Sequence, residues 1–311
     1  MGKSIRDVYG ETLADLGGEY ENIVVLDADL AGSTKSKIFG DRYPDRFFNM
    51  GIAESDMVST AAGLATIGKI PFANSFTTFL TTIGLIGIRA QICYGELNVK
   101  IAGAYAGMSD AFDGTSHQAT DDIALMRSLP GMEILVPSDA TSTRWATHYA
   151  AEHVGPVYLR LSRGEYPDLY PAGTTFEAGK GKIVREGKDC TVFGIAIQTH
   201  EALKAAEILA PQGIDLQVVD MISIKPIDRE LILNCARKTG AVVCAEEHQI
   251  YGGLGSAVAE VLAWGGVGAP TEFIGVQDEF TSSGKYNDLI AAYKLDAPAI
   301  VEAVKKAVAR K

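Results

Sequence analysis

Glu54 has the surroundings that point most directly to chemistry. It lies in Asn49-Met50-Gly51-Ile52-Ala53-Glu54-Ser55-Asp56-Met57, where small and apolar residues lead into a predicted helix start. A carboxyl group held in such a place can stay protonated, or share a proton, near neutral pH, because poor solvation disfavours its charged form. Glu54 is therefore a candidate acid/base residue. The plainer alternative is an acid in the first helical turn that complements the helix dipole.

A second constellation is Asp113-Gly114-Thr115-Ser116-His117-Gln118, which sets a carboxylate four residues from one of only five histidines. Histidine titrates near neutrality and can move protons or hold anionic groups. A metal centre is the weaker reading, since no second His or Cys stands at ligand spacing. Phe76 and Phe79, in Ser75-Phe76-Thr77-Thr78-Phe79, follow a predicted strand and can stack on a flat heteroaromatic ring, with core packing as the alternative. Arg6, Ser33 and Arg163 are far apart in sequence, but each falls near an element end. Two guanidiniums and a hydroxyl directed into one cleft suit a phosphate, although each alone also reads as a surface residue.

Two stretches of the second half only imitate motifs. In Gly252-Gly253-Leu254-Gly255-Ser256-Ala257, Val258 stands where a dinucleotide fingerprint needs its third glycine, so a tight turn packing one helix closely is the better expectation. Glu246-Glu247-His248 is not an H-E-x-x-H zinc motif.

The elements that must position these residues alternate between helix and strand. Ile5, Val8, Tyr9, Leu13 and Leu16 recur at helical spacing up to Gly17-Gly18, a stop signal, and Ile23-Val24-Val25-Leu26 follows as a buried strand. Next come a helix from about Glu54 to Ile67, a strand over 70–74, an apolar helix over 77–94, a strand over 99–103, a helix near 121–128 and a strand over 133–136. This order predicts a mostly parallel sheet with helices on both faces, and ligands collect beyond the carboxyl ends of such strands. Residues 164–188 turn to Pro, Gly, Thr and charge and read as a linker with one short strand. Strand-like runs at 190–197, 216–219 and 241–245 then predict a smaller α/β domain. The expected division is 1–165, a linker at 166–188, and 189–311.

Composition narrows the function classes. With 47% hydrophobic and 22% charged residues over 311 positions, the chain is that of an ordered protein large enough for two domains. A net charge of -11 argues against nucleic acid or an anionic membrane as partner. No run approaches the roughly 18 uninterrupted apolar residues of a membrane span, and no signal core opens the chain, so a cytoplasmic location is expected. Cys93, Cys190, Cys235 and Cys244 form no C-x-x-C pair and read as reduced, buried thiols.

Together the segments A-D-L-A-G-S (28–33), G-I-A-E (51–54), S-F-T-T-F (75–79), D-G-T-S-H-Q (113–118), A-L-M-R-S-L-P-G-M (124–132), L-S-R (161–163), V-V-D-M-I-S-I-K-P-I-D (218–228) and E-E-H-Q-I-Y-G-G-L-G-S-A-V-A-E (246–260) resemble the C-terminal half of transketolase over essentially the whole chain. The resemblance implies a pyrimidine-binding domain for thiamine diphosphate followed by the family's C-terminal domain. It implies that Glu54 hydrogen-bonds the pyrimidine nitrogen opposite the reactive amino group, that Phe79 stacks on the ring with Phe76 beside it, and that Asp29 lies near the cofactor. His117 would contact the substrate's hydroxyl and carbonyl groups, Asp113 would read the hydroxyl next to the carbonyl, and Arg6, Ser33 and Arg163 would hold the distal phosphate.

The family's G-D-G motif, which binds the diphosphate through a metal, is missing from the sequence. The resemblance thus implies one subunit of a split transketolase, completed by an N-terminal diphosphate-binding subunit that carries Mg2+ or a similar divalent ion, in an α2β2 assembly. Tyr105 stands where the family usually has a histidine, Ala111-Phe112 replaces the G-E pair before Asp113, and Thr82 falls where an aromatic is common. These departures make an unusual sugar phosphate donor or acceptor an expectation. The alternatives are a 1-deoxyxylulose-5-phosphate synthase-like enzyme, the β subunit of a 2-oxo acid dehydrogenase, and a non-catalytic relative that only binds a partner. The L-S-R and H-Q contexts favour transketolase.

Overall fold

The computed structural model describes residues 4–311. Short runs rich in Ile, Val, Leu and Ala form strands covered on both faces, which is how parallel sheets are built. In chain order the strands of the first half are β1 (Ile23–Asp27), β2 (Phe47–Asn49), β3 (Ile70–Phe76), β4 (Lys100–Ala104), β5 (Glu133–Leu135) and β6 (Val157–Leu161). Those of the second half are β7 (Lys182–Arg185), β8 (Cys190–Gly194), β9 (Leu216–Asp220), β10 (Ser223–Lys225), β11 (Val242–Gln249) and β12 (Thr271–Val276).

Two sheets result. The seven-stranded sheet has the order β10-β5-β6-β4-β3-β1-β2, parallel except where β10 pairs with β5, so the second half of the chain supplies one edge of the first sheet. The five-stranded sheet has the order β12-β11-β8-β9-β7, with β7 antiparallel to β9. This is the two-domain α/β architecture expected from the alternation of elements. The short strand expected within the linker is β7.

Two local expectations change. The first helix runs Ile5–Glu19, straight through Gly17-Gly18. Gly17 serves close packing there, since a Cβ would lie 2.5 Å from the Tyr43 ring and 2.6 Å from that of Phe39. The apolar stretch at 77–94 is broken into Thr77–Thr82, Leu85–Gly87 and a π-helical turn Ile88–Cys93. The breaks fall at Gly84 and Gly87, which press against Val58 so closely that a Cβ would meet its methyls at 3.1 Å and 2.8 Å.

The reading of the Gly252–Ala257 stretch as a tight turn matches the structure. Glu246 accepts hydrogen bonds from the N–H groups of Leu254 (2.7 Å) and Gly255 (2.8 Å) at the start of the helix Leu254–Trp264. A Cβ on Gly253 would sit 2.0 Å from that carboxylate. All four cysteines are buried and unbridged. No helix among the described residues is long and apolar enough to cross a membrane.

Candidate functional site

The candidate residues converge at the carboxyl edge of the first sheet. Chain leaving β1 carries Asp29 and Ser33, chain leaving β2 carries Glu54, Phe76 ends β3 and Phe79 follows it. The loop after β4 carries Tyr105, Asp113 and His117, and Arg163 follows β6. Arg6 joins them because Ser4 bridges Glu165 and the Ile5 N–H donates to Gly164 O at 3.3 Å. A parallel sheet makes this convergence automatic, since all its strand ends point one way.

Glu54 opens the helix Glu54–Thr66 and is only 3% exposed. Its Oε1 accepts a 2.7 Å hydrogen bond from Ser75 Oγ, and Oε2 makes no hydrogen bond among the described residues. It stands in a first helical turn, and it is also buried and tied to the end of β3. Ser75 is the partner that sequence reasoning missed. Its place beside Phe76 in a strand with alternating faces was the available signal.

Phe76, next in the chain to the Ser75 that binds Glu54, opens an aromatic wall. The Phe76 ring is 6.3 Å from Phe79 and 4.4 Å from Tyr105, while His117 meets Phe79 edge-on at 5.1 Å and Phe76 at 6.1 Å. These are ordinary aromatic contact distances. Phe76 is buried and Phe79 half-buried, so the wall keeps one side open. Ser116 Oγ lies 3.0 Å from His117 Nδ1 and fixes the ring's orientation.

At the far end, Arg6 and Arg163 both lie against Tyr105, each guanidinium carbon 5.1 Å from the ring centre. Arg6 Nη1 donates to Ser33 O at 3.0 Å and to the Tyr105 hydroxyl. Ser33 thus meets Arg6 through its carbonyl. Its position is set by buried Asp27, which accepts from Leu30 N (2.6 Å), Thr34 Oγ1 (2.7 Å) and Ser36 Oγ (2.7 Å), and burial raises that carboxyl above its usual range. Asp29 has φ 65° and accepts from Asn49 Nδ2 at 2.8 Å on the exposed rim. Tyr105 has φ 62°, a backbone strain that bulky residues keep only when their surroundings impose it.

The loop after β4 rests on the second domain. Glu247 Oε1 accepts from Met108 N at 2.6 Å, Gln118 Nε2 donates to Ser282 O at 3.1 Å, and Gly284 N donates to Ala111 O at 3.0 Å. Burial pushes the Glu247 carboxyl up to about 7, against the pull of Arg160 and Tyr286. Asp113 remains exposed at the loop surface.

Arg163 also lines a cleft of about 230 Å³ with Ser109, Phe112, Gly164 and Tyr286. That is below the roughly 300 Å³ at which small-molecule sites begin. Larger clefts, of about 630 Å³ beside Ile274 and about 440 Å³ beside Tyr94, contain none of the residues assembled here. The assembled residues form a wall, open on one side. Among the described residues, no group of three or more His, Cys, Asp or Glu is placed to hold a metal ion.

The pyrimidine-binding domain family of transketolase matches residues 2–168, and the transketolase C-terminal domain family matches residues 179–300. The chain belongs to the transketolase family. A solved split gene transketolase, an inactive beta4 tetramer, superposes with a TM-score of 0.90 at 49% identity, covering 99% of both chains. A Methanocaldococcus jannaschii protein named provisionally as a transketolase C-terminal section is 45% identical, across 97% of this chain and 95% of its own length. A 6-deoxy-6-sulfo-D-fructose transketolase subunit from a Clostridium species is 38% identical, across 99% of this chain and 95% of its own length. Human transketolase is also 38% identical, but this chain spans only 48% of its length. The chain therefore corresponds to the C-terminal subunit of a split transketolase, in a family whose general reaction is thiamine diphosphate-dependent ketol transfer.

Proposed function

We propose that this chain is the pyrimidine-binding component of a two-subunit transketolase, moving a two-carbon ketol unit from a ketose phosphate to an aldose phosphate only when joined to an N-terminal subunit. The observation that carries this reading is the buried Glu54 carboxyl, with Oε2 uncommitted, beside the Phe76, Phe79 and His117 wall. A flat aminopyrimidine, whose ring nitrogen can share a proton with a carboxyl group, fits that pairing. When bound, thiamine diphosphate supplies the electron sink for carbon–carbon cleavage beside a carbonyl.

The chain's own residues then divide the work. Glu54 holds a proton at the pyrimidine nitrogen, Phe79 stacks on the ring with Phe76 beside it, and Asp29 stands near the cofactor. His117 contacts the sugar's hydroxyl and carbonyl groups, and Asp113 reads the hydroxyl next to the carbonyl. Arg6, Ser33 and Arg163 hold the distal phosphate, with both guanidiniums lying against the Tyr105 ring. The diphosphate and its Mg2+ or similar ion fall to the partner, because this chain spans about half of the full-length transketolases it matches. An α2β2 assembly in the cytoplasm, with sites at subunit interfaces, follows from this division. The residue ranges 1–165, 166–188 and 189–311 remain the proposed domain limits.

The test is Glu54→Gln in the reconstituted enzyme. Ketol transfer should fall by about 10²-fold or more, the scale of acid/base catalysis, while co-elution with the partner subunit persists. A variant that keeps most of its activity contradicts the role given to Glu54.

A further inference from the structure

The distal end of the site holds an acid that the ketol-transfer reading does not use. Asp110 is fully buried in the loop after β4, and its Oδ1 lies 3.4 Å from Arg163 Nη1. Its Oδ2 is buried without any hydrogen-bond partner. The Arg163 side chain, 42% exposed, is thus shared between an internal carboxylate and whatever the open wall receives. Arg163 N also donates to Ser109 Oγ at 3.1 Å, which keeps the arginine beside the Asp110 loop. The titratable groups facing Asp110 are Asp113 and His117 of its own loop and Arg163 from the end of β6.

We infer that Asp110 is a specificity-determining residue that competes with the substrate's distal anion for Arg163 and so weakens selection for a phosphorylated sugar. The inference rests on the proposed placement of the distal phosphate at Arg6 and Arg163. A desolvated carboxylate short of hydrogen bonds draws compensation from the guanidinium beside it, and it repels a second anion brought to that cation. Arg6 bears no such burden, since its contacts are the neutral Ser33 carbonyl and Tyr105 hydroxyl. Burial and the Asp113 charge push the Asp110 carboxyl up to about 6, so the competition weakens once it is protonated.

The experiment compares ribose 5-phosphate with glycolaldehyde, an acceptor without a phosphate, in the enzyme reconstituted with its partner subunit. At about pH 7.5, Asp110→Asn should raise the ratio of kcat/KM for ribose 5-phosphate over glycolaldehyde by about tenfold, chiefly through KM, as expected for removal of a close like charge. At about pH 5.5 the gain should shrink, because protonation has already neutralised the wild-type residue. Asp110→Leu removes the same charge without leaving a polar atom buried and should shift the ratio the same way. Arg163→Ala should lower the ratio. A lowered ratio in Arg163→Ala with an unchanged ratio in both Asp110 variants overturns this inference alone. An unchanged ratio in Arg163→Ala overturns the placement of the phosphate itself. A wild-type ratio that does not fall between about pH 5.5 and 7.5 relative to the Asp110 variants also overturns the inference, whatever the variants' stability.

Discussion

Tyr105 joins the two ends of the site. Its ring touches Phe76 and lies against both Arg6 and Arg163, and its hydroxyl accepts from Arg6. Tyr105→Phe keeps the ring and deletes the hydroxyl, so KM for a sugar phosphate should rise by about three- to tenfold, the net worth of one ordinary hydrogen bond. An unchanged KM would mean that the hydroxyl does not place Arg6. Phe79→Ala should weaken thiamine diphosphate affinity in the assembled enzyme by about tenfold, read by titrating activity against cofactor. At this scale much was legible beforehand. Glu54, His117 and the two phenylalanines stand in short stretches whose residue types already suggest chemistry. Asp110 and Ser75 were not legible, since their importance lies in contacts with Arg163 and Glu54 across the fold. Nor was the contact between the Ser33 carbonyl and Arg6 legible, since it too joins residues far apart in the chain.

Among the elements, the loop after β4 depends most on its neighbours. Gly107 has φ 66°, and a Cβ there would meet Glu247 Cδ at 2.6 Å. Gly107→Ala should therefore cost about 1–3 kcal/mol of stability and lower ketol transfer by displacing Asp113 and His117. Thermal melts and a rate assay check both effects. Glu247 adds a pH dependence. Its folded-state pKa of about 7 exceeds its ordinary value of 4.5, so its contribution to stability is complete below the lower value and is lost as pH rises through the higher. Glu247→Gln should remove that loss, leaving the variant's Tm less diminished than the wild type's between about pH 5 and pH 8. Parallel profiles would contradict the assignment. The helix and strand order was readable because buried parallel strands are short apolar runs between amphipathic helices. The breaks at Gly84 and Gly87 were not, because they answer to Val58 on another helix. Nor did periodicity reveal that β10 crosses to the first sheet.

For the whole molecule, the open side of the wall sets the expectation. Ile52, Ile83 and Ile86 are 85%, 53% and 81% exposed, and Ser55 Oγ donates to Ile83 O, so this apolar surface adjoins the helix that begins at Glu54. On the proposed reading it meets the diphosphate-binding subunit. Ile86→Asp should weaken association by about tenfold or more, the cost of burying an unpaired charge at an interface, as measured by analytical ultracentrifugation of the mixture. Undiminished association would place the contact elsewhere. The net charge of -11 leaves Arg6 and Arg163 as a local cationic spot on an acidic chain, suited to a small anion that enters from the open side.

Whether catalysis needs both subunits is decided by one assay. Ketol transfer from xylulose 5-phosphate to ribose 5-phosphate is measured with thiamine diphosphate and Mg2+, first with this chain alone and then with its N-terminal partner added. Turnover is expected only in the mixture. Turnover by the chain alone would contradict that expectation.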